Sequence, residues 1–140
     1  MAKTIQQKIT FKNTTTDVLY NFYMNAKLHS QLTGGPAKIS AKEGSAFSAY
    51  NGYCWGKTLQ LVKNKLIVQS WRASDWNQND VDSTFILLFE SKGKDVAVTM
   101  IHANVPDNQA KNLAGGWNDF YWTPWKNYLT GKKSAKPKSM

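Results

Sequence analysis

The sequence predicts an α+β fold in which a curved antiparallel sheet of about six to seven strands wraps around one long C-terminal helix. Three observations predict it. Residues 37–104 form short apolar runs separated by turn residues, and residues 106–129 carry apolar side chains at helical spacing. Between a first strand and these runs, two short segments also have helical spacing.

The first strand is predicted over residues 3–12, where Ile5, Ile9 and Phe11 share one parity. Residues 13–17 offer several helix N-caps, and apolar residues then recur at helical spacing through Tyr23. A second short helix is predicted over residues 26–32. The sequence Thr-Gly-Gly-Pro that follows ends it.

Hairpins organise the central part of the chain. Turn residues occur at Asn51–Gly52 and at residues 63–65, 74–80 and 92–95. Asn-Gly between two apolar runs is a strong hairpin signal. Alternation places one apolar face on each of two strands, comprising Phe85, Leu87 and Phe89, and then Val96, Val98 and Met100. Short consecutive hairpins of this kind predict a half-buried antiparallel meander.

The C-terminal helix is predicted to begin at the Pro106–Asp107 pair and to run to about Leu129, closed by Gly131. Steps of four, three, four and four residues predict one buried face: Leu113, Trp117, Phe120, Pro124 and Tyr128.

Three further features of this helix have structural consequences. Gly115 and Gly116 are expected to allow close approach of the helix to the sheet. Pro124 is expected to kink the helix, since it removes an internal hydrogen bond. Off the predicted face lie Trp122, Trp125 and Leu129, which either pack on sheet edges or form an exposed patch for a partner.

Composition limits the classes of function. The 140 residues predict one domain over residues 1–131 followed by a disordered basic tail at residues 132–140. The sequence contains no run of eighteen apolar residues, so no membrane span is predicted, and no signal sequence is visible. The single cysteine, Cys54, cannot form an internal disulfide. The chain is therefore predicted to be cytoplasmic. The net charge is +9, but 17 of the 18 basic residues are lysines. Because base recognition favours arginine, we predict no specific nucleic-acid partner.

No catalytic residue, metal site or cofactor is predicted. His102 shares strand parity with Val98 and Met100, so it can point toward the cavity mouth. It is either an acid/base or ligand-anchoring group there, or a hydrogen-bonded or solvated side chain at a strand end. His29 has no catalytic surroundings. The loop at residues 75–80 resembles a calcium loop, but it lacks the required glycine and the glutamate at the twelfth place, which favours a solvated hairpin loop. Cys54 has no adjacent base and is predicted to be a small strand residue.

A curved sheet that grips a helix often leaves a gap near one end, and such gaps suit apolar ligands. Tryptophan and tyrosine combine a large apolar surface with one polar tip. The rings are therefore interpreted either as a packed core or as the wall of a cavity. The candidate ligand-binding residues are Phe47, Trp71, Phe85, Met100, His102, Trp117 and Tyr121.

Three stretches resemble one family: KLIVQSWR at residues 65–72, STFILLFE at 83–90 and NVPDNQAKNLAGGWNDFYWTPWKNYL at 104–129. The chain resembles the activator of heat-shock protein 90 ATPase homologue (Aha-type) family, within the START-like (SRPBCC, birch-pollen-allergen-like) superfamily. The Gly116–Trp117 pair, the Phe120–Tyr121 pair and Pro124 match its motif, as do the Trp71–Arg72 and Val105–Pro106 pairs.

The resemblance implies a helix-grip fold with a hydrophobic cavity between helix and sheet. The eukaryotic chaperone activators carry a separate N-terminal domain, and the resemblance implies that this chain corresponds to their C-terminal domain. We therefore predict a noncatalytic domain that binds a small, lipid-like or aromatic molecule in the cavity, with a link to chaperones or stress responses. The alternatives are a co-chaperone acting on heat-shock protein 90 through its surface, and a cyclase- or dehydratase-like enzyme. A monomer or weak dimer is predicted.

Overall fold

A six-stranded antiparallel sheet forms the frame of the molecule in the computed structural model, which describes residues 2–131. The predicted tail at residues 132–140 lies outside the described residues. The elements are β1 (Ala2–Phe11), α1 (Thr16–Met24), α2 (Ala26–Thr33), β2 (Ala46–Ala49), β3 (Cys54–Val62), β4 (Leu66–Ala73), β5 (Ser83–Lys92), β6 (Asp95–Pro106), a 3₁₀ turn (Asp107–Gln109), α3 (Ala110–Trp117), a π-helical segment (Asn118–Trp122) and α4 (Thr123–Thr130).

The strand order is β1-β6-β5-β4-β3-β2. The five strands after α2 therefore form the predicted meander, and the last of them, β6, pairs with β1. The predicted turns are confirmed. Asn51, Gly52, Asn64 and Gly93 all have positive φ, which asparagine and glycine accept more readily than other residues. Gly93 and Lys94 alone join β5 to β6, since Lys92 pairs with Asp95.

The two faces of the sheet differ because side chains alternate along each strand. The inner face carries the predicted apolar sets, and Phe85, Leu87, Val98 and Met100 are fully buried there. Helix α1 packs against β5, and α3 packs against β1 on this side. The core therefore lies between the concave face of the sheet and the helices, as a helix-grip fold requires.

The short helices have well-defined ends. The Asn25 side chain accepts a hydrogen bond from the Leu28 amide at 3.0 Å and caps α2 at its start. Gly34, with φ 86°, ends α2 in the left-handed conformation, and Gly131 ends α4 in the same way. Both helix ends lie where the glycines of the sequence predict them.

The C-terminal helix differs from an ideal α-helix between Asn118 and Trp122. Here the chain makes a π-helical turn, and the Thr123 amide donates to the Asn118 carbonyl five residues earlier. Pro124 follows immediately. Proline has no N–H and its ring crowds the preceding turn, so a widened turn accommodates it. The irregularity that accompanies Pro124 is thus a widened turn just before the proline.

The wide turn corrects the predicted buried face. Leu113 and Trp117 are buried as predicted, but Tyr128 is 55% exposed, while Trp122 and Trp125 are 2% and 1% exposed. A π turn takes up about one extra residue, so every later side chain is rotated relative to the α-helical expectation. Of the two alternatives for the off-face tryptophans, the structure shows packing on a sheet edge, because Trp125 lies 5.7 Å from Phe11 of β1.

Gln7 holds this turn to the sheet from the inner face of β1. Its side-chain amide donates to the Ala114 carbonyl at 3.0 Å, and its oxygen accepts from the Trp122 indole at 2.7 Å. Buried polar groups are stable when they are paired in this way. One strand residue therefore contacts both α3, before the π-helical segment, and Trp122, the last residue of that segment.

Candidate functional site

A cavity of about 280 Å³ lies between the C-terminal helix and the end of the sheet that carries the β2–β3 turn. Its walls come from the end of α2, the β2–β3 turn, β4 and the first half of the C-terminal helix. The lining residues are Thr33, Tyr50, Tyr53, Cys54, Trp71, Asn112, Leu113, Gly116, Trp117, Phe120 and Tyr121. Most of this wall is aromatic, and no lining residue carries a charged side chain.

The two glycines of the helix do not serve close packing, contrary to the expectation from sequence. A Cβ atom added to Gly115 or to Gly116 would have no neighbour within 4 Å. Gly115 is exposed, whereas Gly116 lines the cavity. The absence of a side chain at Gly116 therefore leaves space in the cavity. The close approach occurs elsewhere: a Cβ at Gly56 would lie 1.9 Å from the Ser70 carbonyl oxygen.

Trp117 is the central ring of the site. It stacks on Phe85 with 4.5 Å between ring centroids and an interplanar angle of 11°. Tyr121 lies 4.7 Å from it along the helix, and Trp71 lies 6.0 Å from it across the cavity. Aromatic pairs in this distance range contribute about 0.5–1.5 kcal/mol beyond the burial of their area. The cavity wall is thus a connected set of rings with restricted side-chain positions.

His102 lies behind Trp117 and is fully buried. The Trp117 indole N–H donates to its Nδ1 at 3.2 Å, so Nδ1 is the acceptor and Nε2 carries the proton. Nε2 lies 2.8 Å from the Ser83 hydroxyl, which itself donates to the Trp71 carbonyl at 2.7 Å. Burial lowers the pKa of His102 to about 3. His102 is therefore a neutral, hydrogen-bonded group that orients Trp117.

His29 supports the other cavity ring, Tyr121. Its Nδ1 lies 2.8 Å from the Tyr23 carbonyl oxygen and must be the protonated nitrogen, because a carbonyl only accepts. The Tyr121 hydroxyl consequently donates to Nε2, also at 2.8 Å. Burial lowers the pKa of His29 to about 4 and raises that of Tyr121 well above its ordinary value. Both groups are neutral near pH 7.

Cys54 is the first residue of β3, a strand residue as predicted, and the structure shows that it is buried and lines the cavity. Its thiol lies 3.9 Å from the Ala49 carbonyl oxygen, and burial raises its pKa to about 12. Neighbouring Tyr53 has its pKa raised to about 12 as well, chiefly by burial and then by Asp75. The thiol is therefore protonated and weakly nucleophilic at neutral pH.

Three of the seven candidate ligand-binding residues line the cavity, namely Trp71, Trp117 and Tyr121. The other four, Phe47, Phe85, Met100 and His102, are buried in the surrounding core and are not lining residues. Sequence reasoning did not select the turn tyrosines Tyr50 and Tyr53, although they flank the Asn51–Gly52 hairpin signal. It also did not select Gly116, because a glycine has no side chain with which to signal a cavity.

The loop at residues 75–80 is held by Arg72. Its guanidinium donates to the Asn77 and Asp80 carbonyls at 2.6 Å each and pairs with Asp82 at 3.2 Å. Within residues 2–131, no group of three or more His, Cys, Asp or Glu residues is placed to hold a metal ion. Over the same residues, no helix combines the length and the hydropathy that crossing a bilayer requires.

Comparison with protein families matches residues 13–130 to the model described as "Activator of Hsp90 ATPase homolog 1-like protein". Human activator of 90 kDa heat shock protein ATPase homolog 1 is 28% identical over 118 residues, which are 82% of this chain and 35% of the human protein. The Dictyostelium discoideum activator homolog is 27% identical over 116 residues, covering 82% of this chain and 30% of that protein. The chain thus spans about a third of the length of these curated relatives.

Solved structures show the same fold. An HSP90 activator from Plasmodium falciparum superimposes with a TM-score of 0.82 at 24% identity, over 93% of this chain and 97% of that one. The Aha1 dimer from Colwellia psychrerythraea gives a TM-score of 0.78 at 17% identity, over 94% of this chain and 99% of that one. CalU16 from Micromonospora echinospora gives 0.79 at 17% identity, over 96% of this chain and 79% of that one.

Proposed function

The chain belongs to the family of activator of Hsp90 ATPase homolog 1-like proteins, and within that family we propose that this domain binds a small apolar ligand in its helix–sheet cavity without catalysing a reaction. The single observation that carries the proposal is the space beside Gly116. Protein interiors are close-packed, and voids larger than a water molecule are few. A cavity that stays open amid so many rings is therefore a candidate binding site.

Size and lining indicate the kind of ligand. The cavity volume of about 280 Å³ is less than twice the roughly 150 Å³ of an engineered apolar cavity that binds benzene. It is therefore matched to one or two rings, or to a short aliphatic chain. Because no lining residue is charged, an ionised ligand would lose its hydration without gaining an ion pair. The ligand we propose is neutral, apolar and flat enough to lie along Trp117.

The polar groups near the cavity support a noncatalytic role. A general base must reach the proton that it removes. Both ring nitrogens of His102 are engaged by Trp117 and Ser83, and both of His29 by Tyr23 and Tyr121. The Cys54 thiol is protonated at neutral pH because its pKa is raised to about 12. These groups hold the walls in place.

Leucine substitutions at the two adjacent glycines test the proposal. Gly116→Leu should fill the cavity, whereas Gly115→Leu should place the same side chain in open space outside it. Leucine has a better helix propensity than glycine by about 1 kcal/mol, so both substitutions should have a similar local effect on the stability of the helix. Indole and 1-naphthol serve as one- and two-ring probes, with a sterol as an oversized one.

The measurement is titration by amide NMR. Indole or naphthol should shift resonances near Trp71, Trp117 and Tyr121 in the wild type and in Gly115→Leu. Those shifts should be absent in Gly116→Leu and with the sterol. Absence of shifts in the wild type, or equal shifts in both leucine variants, contradicts binding in this cavity.

A second candidate function is action on a 90 kDa heat-shock protein through the surface. The observation that favours it is that the matched relatives in human and Dictyostelium discoideum are named activators of this chaperone's ATPase. Adding the purified domain to the host's chaperone of that class should change its ATPase rate. No change in rate together with no detectable complex rules this function out.

A further inference from the structure

The outer face of the sheet carries an apolar patch at the end where β3 turns into β4. Cross-strand pairing joins Val62 to Leu66 and Leu66 to Leu88 in one row. In the next row it joins Val68 to Ile86 and Ile86 to Ile101. We call these six residues, Val62, Leu66, Val68, Ile86, Leu88 and Ile101, the outer patch.

The alternation of side chains shows that the outer patch faces away from the core. Ile67, Leu87 and Met100 are the strand neighbours of patch residues and are fully buried on the inner face. On the patch itself, Val62 is 42% exposed and Leu88 is 40% exposed. An antiparallel sheet with one solvated face ordinarily presents polar residues there. The same face of β4 and β5 is polar further down, at Ser70 and Thr84, so the apolar character is local.

Lysines border this patch. Lys63 and Lys65 are exposed in the β3–β4 turn, and Lys94 is exposed in the β5–β6 turn at the same end of the sheet. Lys8 of β1 lies in the Leu88 row, because both residues pair with Thr99. Three carboxylates lie at the same end. Glu90 forms an ion pair with Lys92 at 3.3 Å, Asp95 is the cross-strand partner of Lys92, and Glu43 accepts a hydrogen bond from the Leu61 amide at 2.8 Å. With Lys92 counted, five lysines face these three carboxylates, so the border is net positive.

We propose that the outer patch docks an acidic protein segment that places apolar side chains on the two rows and carboxylates against Lys8, Lys63, Lys65 and Lys94. Exposed contiguous apolar surface rimmed by charged residues is typical of interaction sites. An acidic partner gains from the lysine border by steering and by complementarity. The inference rests on the second proposed function for the choice of the 90 kDa heat-shock protein as partner, and it is independent of the cavity.

Two other occupants fit the patch less well. A second copy of the chain would bring the same lysines against one another, and the chain already carries a net charge of +9. A lipid surface is ordinarily entered by protruding tryptophan, phenylalanine or leucine side chains on a helix. The outer patch lies on strands and contains no aromatic ring. Charge and composition both favour an acidic protein.

Two pairs of variants test the apolar and the basic parts. Ile86→Thr with Leu88→Thr removes apolar surface and keeps strand-forming residues, and Thr84→Ser on the same face of β5 is its control. Lys63→Glu with Lys65→Glu reverses the border charge. Lys27→Glu with Lys111→Glu makes the same change in net charge at exposed helical positions and is the second control. Circular dichroism and thermal unfolding establish that each variant is folded.

The probe is the purified 90 kDa heat-shock protein of the same host, titrated by calorimetry. Both outer-patch variants should weaken binding by about tenfold or more, and the controls should bind like the wild type. Raising the salt from about 0.1 M to about 0.5 M should weaken wild-type binding by screening the lysines.

The remaining outcomes overturn the inference in distinguishable ways. If the wild type binds and the outer-patch variants bind equally well, the docking face is wrong while the co-chaperone function stands. If the wild type forms no complex, both fail. Binding to phosphatidylserine vesicles that is lost in the outer-patch variants, without binding to the chaperone, assigns the surface to membranes instead. Concentration-dependent dimerisation that the variants abolish assigns it to a second copy.

Discussion

Mild acid should destabilise this domain through its two buried histidines. His29 and His102 are the chain's only histidines, and both are neutral and almost completely buried. Burial lowers their pKa values to about 4 and about 3, against about 6.5 in an unfolded chain. Below pH 6.5 the unfolded state therefore binds more protons than the folded state, so stability falls as the pH falls.

The size of the effect follows from these pKa values. Each pH unit below the ordinary histidine pKa contributes about 1.36 kcal/mol for a group that stays neutral when folded. At about pH 5 this amounts to about 2 kcal/mol for each histidine, or about 4 kcal/mol for the pair. Carboxylates titrate mainly below this range, near pH 4. Since domains of this size are stable by about 5–15 kcal/mol, the loss is large.

Urea denaturation at about pH 7.5, 6.5, 5.5 and 5 measures the free energy of unfolding along this curve. The slope between about pH 6 and pH 5 should approach that of two protons. His29→Gln and His102→Gln should each remove about half of it, because glutamine does not titrate. A free energy of unfolding that stays constant over this range, or a slope unchanged in both variants, refutes the buried neutral histidines.

Three further predictions concern packing and reactivity. Trp125→Ala should lower the free energy of unfolding by about 3–5 kcal/mol. Tyr128→Ala, at a position that is 55% exposed, should lower it by less than about 1 kcal/mol. Chemical denaturation compares the two variants, and the reverse order would contradict the π turn. Gly56→Ala should lower the free energy of unfolding by about 3 kcal/mol, since an added Cβ overpacks a rigid part of the sheet. Gly115→Ala should raise it slightly. Calorimetry of both variants measures the difference, and a Gly56→Ala variant as stable as the wild type would argue against the contact with Ser70. Cys54 should react slowly with iodoacetamide at neutral pH until urea unfolds the chain, because its thiol is buried and its pKa is raised to about 12; mass spectrometry follows the adduct, and rapid labelling of the folded protein would contradict the burial.

Much of the fold could be predicted from local patterns. Turn residues located the hairpins at Asn51–Gly52 and at residues 92–95, and alternation assigned Phe85 and Met100 to the inner face, where they are buried. These features depend on neighbours within a few residues of the chain, which a sequence displays directly. Helix ends at Gly34 and Gly131 were predictable for the same reason.

The cavity was predictable only in part. Trp71, Trp117 and Tyr121 were selected because tryptophan and tyrosine combine a large apolar ring with a polar tip, and they line it. Gly116 and the turn tyrosines depend on the distance between helix and loop, which no local pattern encodes. The hydrogen bonds of the two histidines could not be predicted either, because the partner of His29 is Tyr121 and that of His102 is Trp117, and each partner lies on another element.

The sequence by itself determined the α+β class, the order of strands and helices, the inner face of the sheet and the membership suggested by the residues around Gly116 and Trp117. The tertiary structure alone decided which aromatic residues of the C-terminal helix face the core. Local periodicity assumes an unbroken α-helix, but Pro124 is accommodated by a wide turn that Gln7 of the distant strand β1 holds in place. That contact turns Trp122 and Trp125 inward and leaves Tyr128 exposed.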